Sequence, residues 1–306
     1  MKISLRLILL PFLLTNIFAK SSIELFEEYH DELCNILVNT SNSIDDYFVE
    51  GNESSISSKT YAELSTSIAM EANQEFEKDM RLRLRLSLPK IQKNLRLIFE
   101  DENNDDSLYD RTTLNNEKLR DKSYYLRVEY FKFIKKKFNL ALGAGLRVRQ
   151  GHLVPYLNLR SRYDVYKDSN IKSSFYNRLR FYTDGATEDI LEFNNIYTFD
   201  ETVYAILKNQ LSYSNEKSYE TAYHDLSLIK EINDKKQLRV GMGIRSDLQN
   251  FKNYDIEYYH IHTLYHHLFY KKWLYYQVAP SVLWREENSF DISYRLMVNF
   301  GIYFKK

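Results

Sequence analysis

His260 and His262 are the residues whose type and spacing point most directly to chemistry. With His266 and His267 they form the histidine-rich run Tyr258-Tyr259-His260-Ile261-His262-Thr263-Leu264-Tyr265-His266-His267, which holds four of the seven histidines. On an extended strand, residues two apart share a face, so two imidazoles could grip one divalent metal ion from a single strand. A third ligand is then needed. His266 lies four residues beyond His262, too far to converge at ~3.3 Å per residue. No cysteine or acidic cluster nearby in the sequence completes a zinc-like set. The run reads as a polar lining with a bulge around Leu264 to His267, with no metal and no cofactor.

Arginine makes the second pattern. In Arg81-Leu82-Arg83-Leu84-Arg85-Leu86-Ser87-Leu88 one face of a strand is all leucine and the other is arginine and serine. Continued along the chain, the polar face collects Arg81, Arg83, Arg85, Arg96, Arg127, Arg147, Arg149, Arg160, Arg162, Arg178, Arg180, Arg239, Arg245 and Arg295. Acids on that face are fewer: Glu100, Glu129, Asp164, Glu192, Asp225 and Asp291. Cross-strand arginine–carboxylate pairs would stiffen a polar interior. The surplus positive charge would favour anions in a pore. Enzymatic chemistry has no support: no G-x-S-x-G, phosphate loop or dinucleotide fingerprint occurs, and no motif singles out a serine–histidine pair. The chain therefore reads as a non-enzyme.

The elements that must carry these faces follow from the period. Beyond about residue 60 the alternation has a period of two, as in Leu126/Val128/Tyr130 against Arg127/Glu129 and Leu238/Val240/Met242/Ile244 against Arg239/Arg245. The runs reach ~10 or more residues, the length a tilted strand needs to cross a bilayer. Such strands average out as hydrophilic, which suits a mean hydropathy of -0.50, and 26 tyrosines with 18 phenylalanines suit aromatic girdles at the two interfaces. With 42 basic and 42 acidic residues the chain has no basic excess to recruit nucleic acid.

The connections fall into two alternating sets. One is short: Pro89 to Asn94, Lys135 to Lys137, Lys167 to Asn170, Asp200-Glu201, Asn233 to Lys236 and Lys271-Lys272. The other includes the Asp- and Asn-rich segment Asn103 to Lys122. Barrels of the outer membrane carry short periplasmic turns and longer outer loops. The expected fold is all-β: a closed antiparallel transmembrane barrel of about fourteen strands, twelve if Tyr61 to Asn73 lies outside the sheet.

The N-terminus adds an export signal. Lys2 and Arg6 precede an apolar stretch from Leu7 to Phe18, and Ala19 offers a small residue for cleavage. Residues 1–19 are thus expected to be a signal peptide, 20–58 a periplasmic helix and linker, and 59–306 the barrel. Ile23, Phe26, Tyr29, Leu33, Ile36 and Leu37 recur at helical spacing, with a break expected at Ser41-Asn42-Ser43. The helix is expected near the periplasmic rim, the alternative being a plug in the lumen. Cys34 is the only cysteine, so no intramolecular disulfide can form.

The closing segment alternates without a break through Phe290, Ile292, Tyr294, Leu296, Val298, Phe300, Ile302 and Phe304. It resembles the C-terminal assembly signal of bacterial outer-membrane barrels, although Lys305 and Lys306 follow the last aromatic residue. Ser43-Ile44-Asp45-Asp46-Tyr47-Phe48, Leu88-Pro89-Lys90-Ile91-Gln92-Lys93-Asn94-Leu95-Arg96-Leu97, Ala279-Pro280-Ser281 and Trp284-Arg285-Glu286-Glu287-Asn288 are similar to segments of a family of poorly characterised proteobacterial outer-membrane proteins. That resemblance implies a fold and an outer-membrane location, and no activity. The expected partners are outer-membrane lipid, the barrel assembly machinery through the last strand, and small anionic solutes. The expected function is a small porin-like passive channel with a basic lumen and mild anion preference. A largely closed structural or surface-interaction barrel is the alternative, with an outer-membrane enzyme behind it.

Overall fold

A computed structural model describes residues 19–48, 60–72, 74–87, 95–101, 124–135, 137–149, 152–215, 219–248 and 253–305. Among the described residues one helix, α1 (Ala19–Phe48), precedes fourteen strands: β1 (Tyr61–Glu71), β2 (Glu77–Ser87), β3 (Leu95–Asp101), β4 (Tyr124–Lys135), β5 (Phe138–Arg149), β6 (His152–Lys167), β7 (Ile171–Tyr182), β8 (Thr187–Thr198), β9 (Val203–Ser214), β10 (Tyr219–Asn233), β11 (Lys236–Asp247), β12 (Asp255–Tyr270), β13 (Leu274–Arg285) and β14 (Ile292–Phe304). Each strand pairs antiparallel with its sequence neighbour, and β1 pairs with β14 to close the ring. The stretch from Tyr61 is therefore a barrel strand, and the count is fourteen rather than twelve. Pairing of the first strand with the last closes the ring, the condition for placing β-structure in hydrocarbon.

The period-two pattern settles which face points where. Register rows run around the ring: Leu226 pairs with Met242, which pairs with Ile261, and all three face outward and are exposed. Their chain neighbours Asp225 and His260 face inward and are buried. Exposed aromatic residues gather at both ends of this apolar belt. Tyr163, Tyr166, Tyr197, Phe199 and Phe269 ring one end, and Phe76, Tyr213, Tyr254, Phe290 and Tyr294 ring the other. Amphipathic rings at the two rims of an apolar band match the headgroup levels of a bilayer. Leu226 sits at the middle of β10, so Leu226→Arg is expected to destabilise the folded barrel by about 2–4 kcal/mol. Urea unfolding in lipid vesicles measures this, and Leu226→Met is expected to change little.

Both chain ends of the barrel, Tyr61 and Phe304, lie at the same rim, along with the short turns at Asp168 to Asn170, Phe199 to Thr202 and Asp234-Lys235. The two-sided sorting of connections read from the sequence matches this arrangement. Residues 1–18 of the expected signal peptide, the connection Pro89 to Asn94 and all of 103–122 lie outside the described residues. Helix α1 packs at the rim that holds the termini. His30 donates from Nε2 to the Tyr303 carbonyl at 2.9 Å and stacks on Trp273 at 4.2 Å. Glu27 pairs with Lys271 at 2.8 Å and accepts a hydrogen bond from Tyr270, contacts that hold its carboxyl below the usual range.

Three local expectations need correction. The helix runs through Ser41-Asn42-Ser43 to Phe48, because Ser41 is buried and accepts a hydrogen bond from Thr60 at 3.1 Å, so a tertiary contact overrides the breaker residues. Phe290 belongs to a tight turn rather than to β14: Ser289 and Phe290 take left-handed φ of 54° and 60°. Register shifts along β12 fall between Leu268 and Tyr270 on its β13 side and at Glu257 on its β11 side, and not at the expected bulge of 264–267.

Candidate functional site

The inward face of the barrel is the candidate site, and the register places on it the arginines picked out from the sequence whose side chains are described. Arg81, Arg83 and Arg85 project from β2 opposite Ser65, Glu63 and Tyr61. Arg96 pairs with Glu129 in the register, although its side chain, like that of Arg149, lies outside the described residues. Arg127 (β4), Arg147 (β5), Arg160 and Arg162 (β6), Arg178 and Arg180 (β7), Arg239 and Arg245 (β11) and Arg295 (β14) occupy inward rows of their strands. The carboxylate Glu129 is also inward and fully buried.

On the β4–β8 side, small residues let long side chains cross. β5 offers Ala141, Gly143 and Gly145 inward, so Arg160 of β6 reaches over β5 to Glu129 of β4 at 2.5 Å. Further along, Glu188 of β8 gathers Arg147 at 2.8 Å, Arg180 at 3.2 Å and the Tyr182 hydroxyl at 2.8 Å. The Arg180 guanidinium lies 4.2 Å from the Tyr125 ring centre, within cation–π range. Arg127, Arg147 and Arg180 are only 1% exposed, so they are packed into the wall rather than extended into water. Charge-assisted bonds of this kind offset the cost of burying guanidinium groups.

The seam where the barrel closes carries a second network. Glu71 of β1 accepts from Arg285 of β13 at 2.7 and 3.0 Å, from Arg295 of β14 at 3.0 Å and from Ser293 at 3.2 Å. Arg295 reaches on to Glu77 of β2 at 3.2 Å. One carboxylate thus ties β1, β13 and β14 together, and an arginine extends the tie to β2. Between these regions Asp225 of β10 accepts from Arg239 of β11 at 3.0 Å and from Ser227 at 2.5 Å. His260 and His262 of β12 face the same carboxylate.

Arg81, Arg83, Arg162 and Arg245 have part-exposed side chains, 14–19% accessible. Each has a carboxylate close by: Asp79 at 2.7 Å, Glu63 at 3.7 Å, Asp164 at 3.0 Å and Glu257 at 2.5 Å. Sequence reading missed Glu63, Glu71, Glu77, Asp79, Glu188, Lys208 and Arg285 as inward charges. The signal was present for Glu77 and Asp79, which extend the Arg81/Arg83/Arg85 alternation backwards. Asp291, read as inward, is exposed in the turn before β14.

No protein-family model and no curated protein matches the chain. Among solved structures, the outer-membrane channel DcaP of Acinetobacter baumannii aligns over 84% of this chain and 100% of its own, with 8% identity and a TM-score of 0.50. OprB of Pseudomonas putida, in a high-pH structure, aligns over 81% and 94%, with 10% identity and a TM-score of 0.50. At such identity the likeness is one of fold. Together with the apolar belt and its two aromatic rims, it places the chain in the outer membrane as a closed fourteen-stranded antiparallel β-barrel.

Proposed function

We propose that this barrel is a small passive channel of the outer membrane with a mild preference for anions. The observation that supports it most is the inward arginine array of β2 and β4–β7, which outnumbers the inward carboxylates beside it. Fixed positive charge along a narrow lumen raises the local concentration of anions. The preference is mild because the accessible arginines keep carboxylate neighbours that cancel part of their field. The unbroken outward alternation of β14 supports recognition by the barrel assembly machinery through that strand.

Planar-bilayer recording tests the channel. Under a salt gradient the reversal potential is expected to take the sign of chloride permeation, and Arg81→Glu with Arg83→Glu is expected to move it towards cation permeation. Absence of conductance from folded barrel would overturn the proposal. That outcome would favour a second reading, a lumen closed by side chains. The near-complete burial of Arg127, Arg147, Arg180, Leu264 and Leu283 supports this second reading.

A further inference from the structure

We propose that Asp225, His260 and His262 form a site for one first-row divalent cation of the zinc type, set into the inner wall of the barrel. The three residues come from two strands that are not neighbours. Asp225 and Ser227 lie on β10, His260 and His262 on β12, and β11 runs between them. Opposite these residues β11 presents Gly243, paired with Asp225 and His260, and Gly241, paired with Ser227 and His262. A Cβ at Gly243 would lie 2.5 Å from Cε1 of His260, and one at Gly241 would lie 2.6 Å from Cε1 of His262. The two glycines therefore clear a floor across which both imidazoles lie down to reach the β10 carboxylate.

The spacing suits a metal better than a hydrogen bond. Oδ2 of Asp225 is 3.5 Å from Nε2 of His260 and 3.7 Å from Nδ1 of His262. Nitrogen–oxygen hydrogen bonds run at about 2.7–3.2 Å. Two donors each ~2.0–2.1 Å from a tetrahedral zinc ion sit roughly 3.3–3.5 Å apart. Asp225 is 1% exposed, and among the described residues its Oδ2 accepts no hydrogen bond. Its other oxygen is held by Arg239 and Ser227, which turns Oδ2 towards the imidazoles. Such outer partners are what orient a metal-binding carboxylate. Arg239 already supplies a positive partner to the carboxylate, at 3.0 Å. Two imidazoles and one carboxylate select zinc, copper or nickel over calcium and magnesium, and they leave a fourth position for water.

The test uses the untagged full barrel refolded in detergent, stripped with chelator, then dialysed against Zn2+ and analysed for retained metal by mass spectrometry. One zinc per barrel is expected in the wild type. Asp225→Asn, His262→Gln and Gly243→Ala are each expected to lower retained zinc at least about tenfold, while His266→Gln leaves it unchanged. Heat-dependent gel mobility confirms that each variant is folded. Should the variants fail to fold, Co2+ decides the question on wild type alone: a visible d–d spectrum of a low-coordinate site, displaced by excess Zn2+, is expected. No retained zinc and no cobalt spectrum in the wild type would overturn the proposal. Equal loss in His266→Gln, or full zinc retention in folded His262→Gln, would also overturn it.

Discussion

Glu71→Ala is expected to destabilise the barrel by about 3–5 kcal/mol, the cost of breaking a buried ion-pair network from one side. Glu71 is 8% exposed and serves two guanidiniums and a hydroxyl at distances between 2.7 and 3.2 Å. Removing it leaves Arg285 and Arg295 close together at the β13–β14 seam without the carboxylate that separates their charges. The loss falls where the first and last strands meet, so it weakens closure itself. Urea titration in vesicles, followed by tryptophan fluorescence, should show an earlier midpoint with little change in slope. Glu71→Gln keeps an acceptor and should lose less. Equal stability of Glu71→Ala and wild type would show that this network does not hold the seam.

A single methyl group at Gly145 is expected to have a comparable effect. Its Cβ would fall 2.4 Å from the Leu126 carbonyl oxygen, and 2.9 Å from both Cβ of Arg127 and the Tyr156 ring. Backbone of the paired strand cannot yield as a side-chain tip can, so β4 and β5 would have to separate. Overpacking of this kind costs typically ~1–3 kcal/mol, and this contact belongs at the upper end. The neighbouring Ala144 faces outward and is exposed, so Ala144→Leu should fold like the wild type. Folding yield, read from heat-dependent gel mobility, separates the two. A normal yield for Gly145→Ala would show that the Tyr156 and Arg127 side chains do not need the groove at Gly145.

The barrel was legible in the sequence because lipid and lumen impose opposite demands on alternate residues. The run from Arg81 to Leu88 states both demands within one strand, and β14 repeats them to its end. Strand limits were less legible. At Glu77, Asp79 and Glu188 a polar residue on an inward strand position looks the same as a polar residue in a loop. The helix end was misplaced for a related reason, since the contact from Ser41 to Thr60 is nonlocal.

By itself the sequence determined the all-β class, the alternation that gives the strands their two sides and the inward place of most of the arginines, because all of these depend on residues a few positions apart. Only the tertiary structure decided which charges meet. Arg147 finds Glu188, Glu71 finds Arg285, and the His260/His262 pair acquires Asp225 as a third neighbour from 35 residues away in the chain. Strand order and stagger bring these groups together over intervening residues too small to block them, and a pattern read along one strand contains no information about its second neighbour.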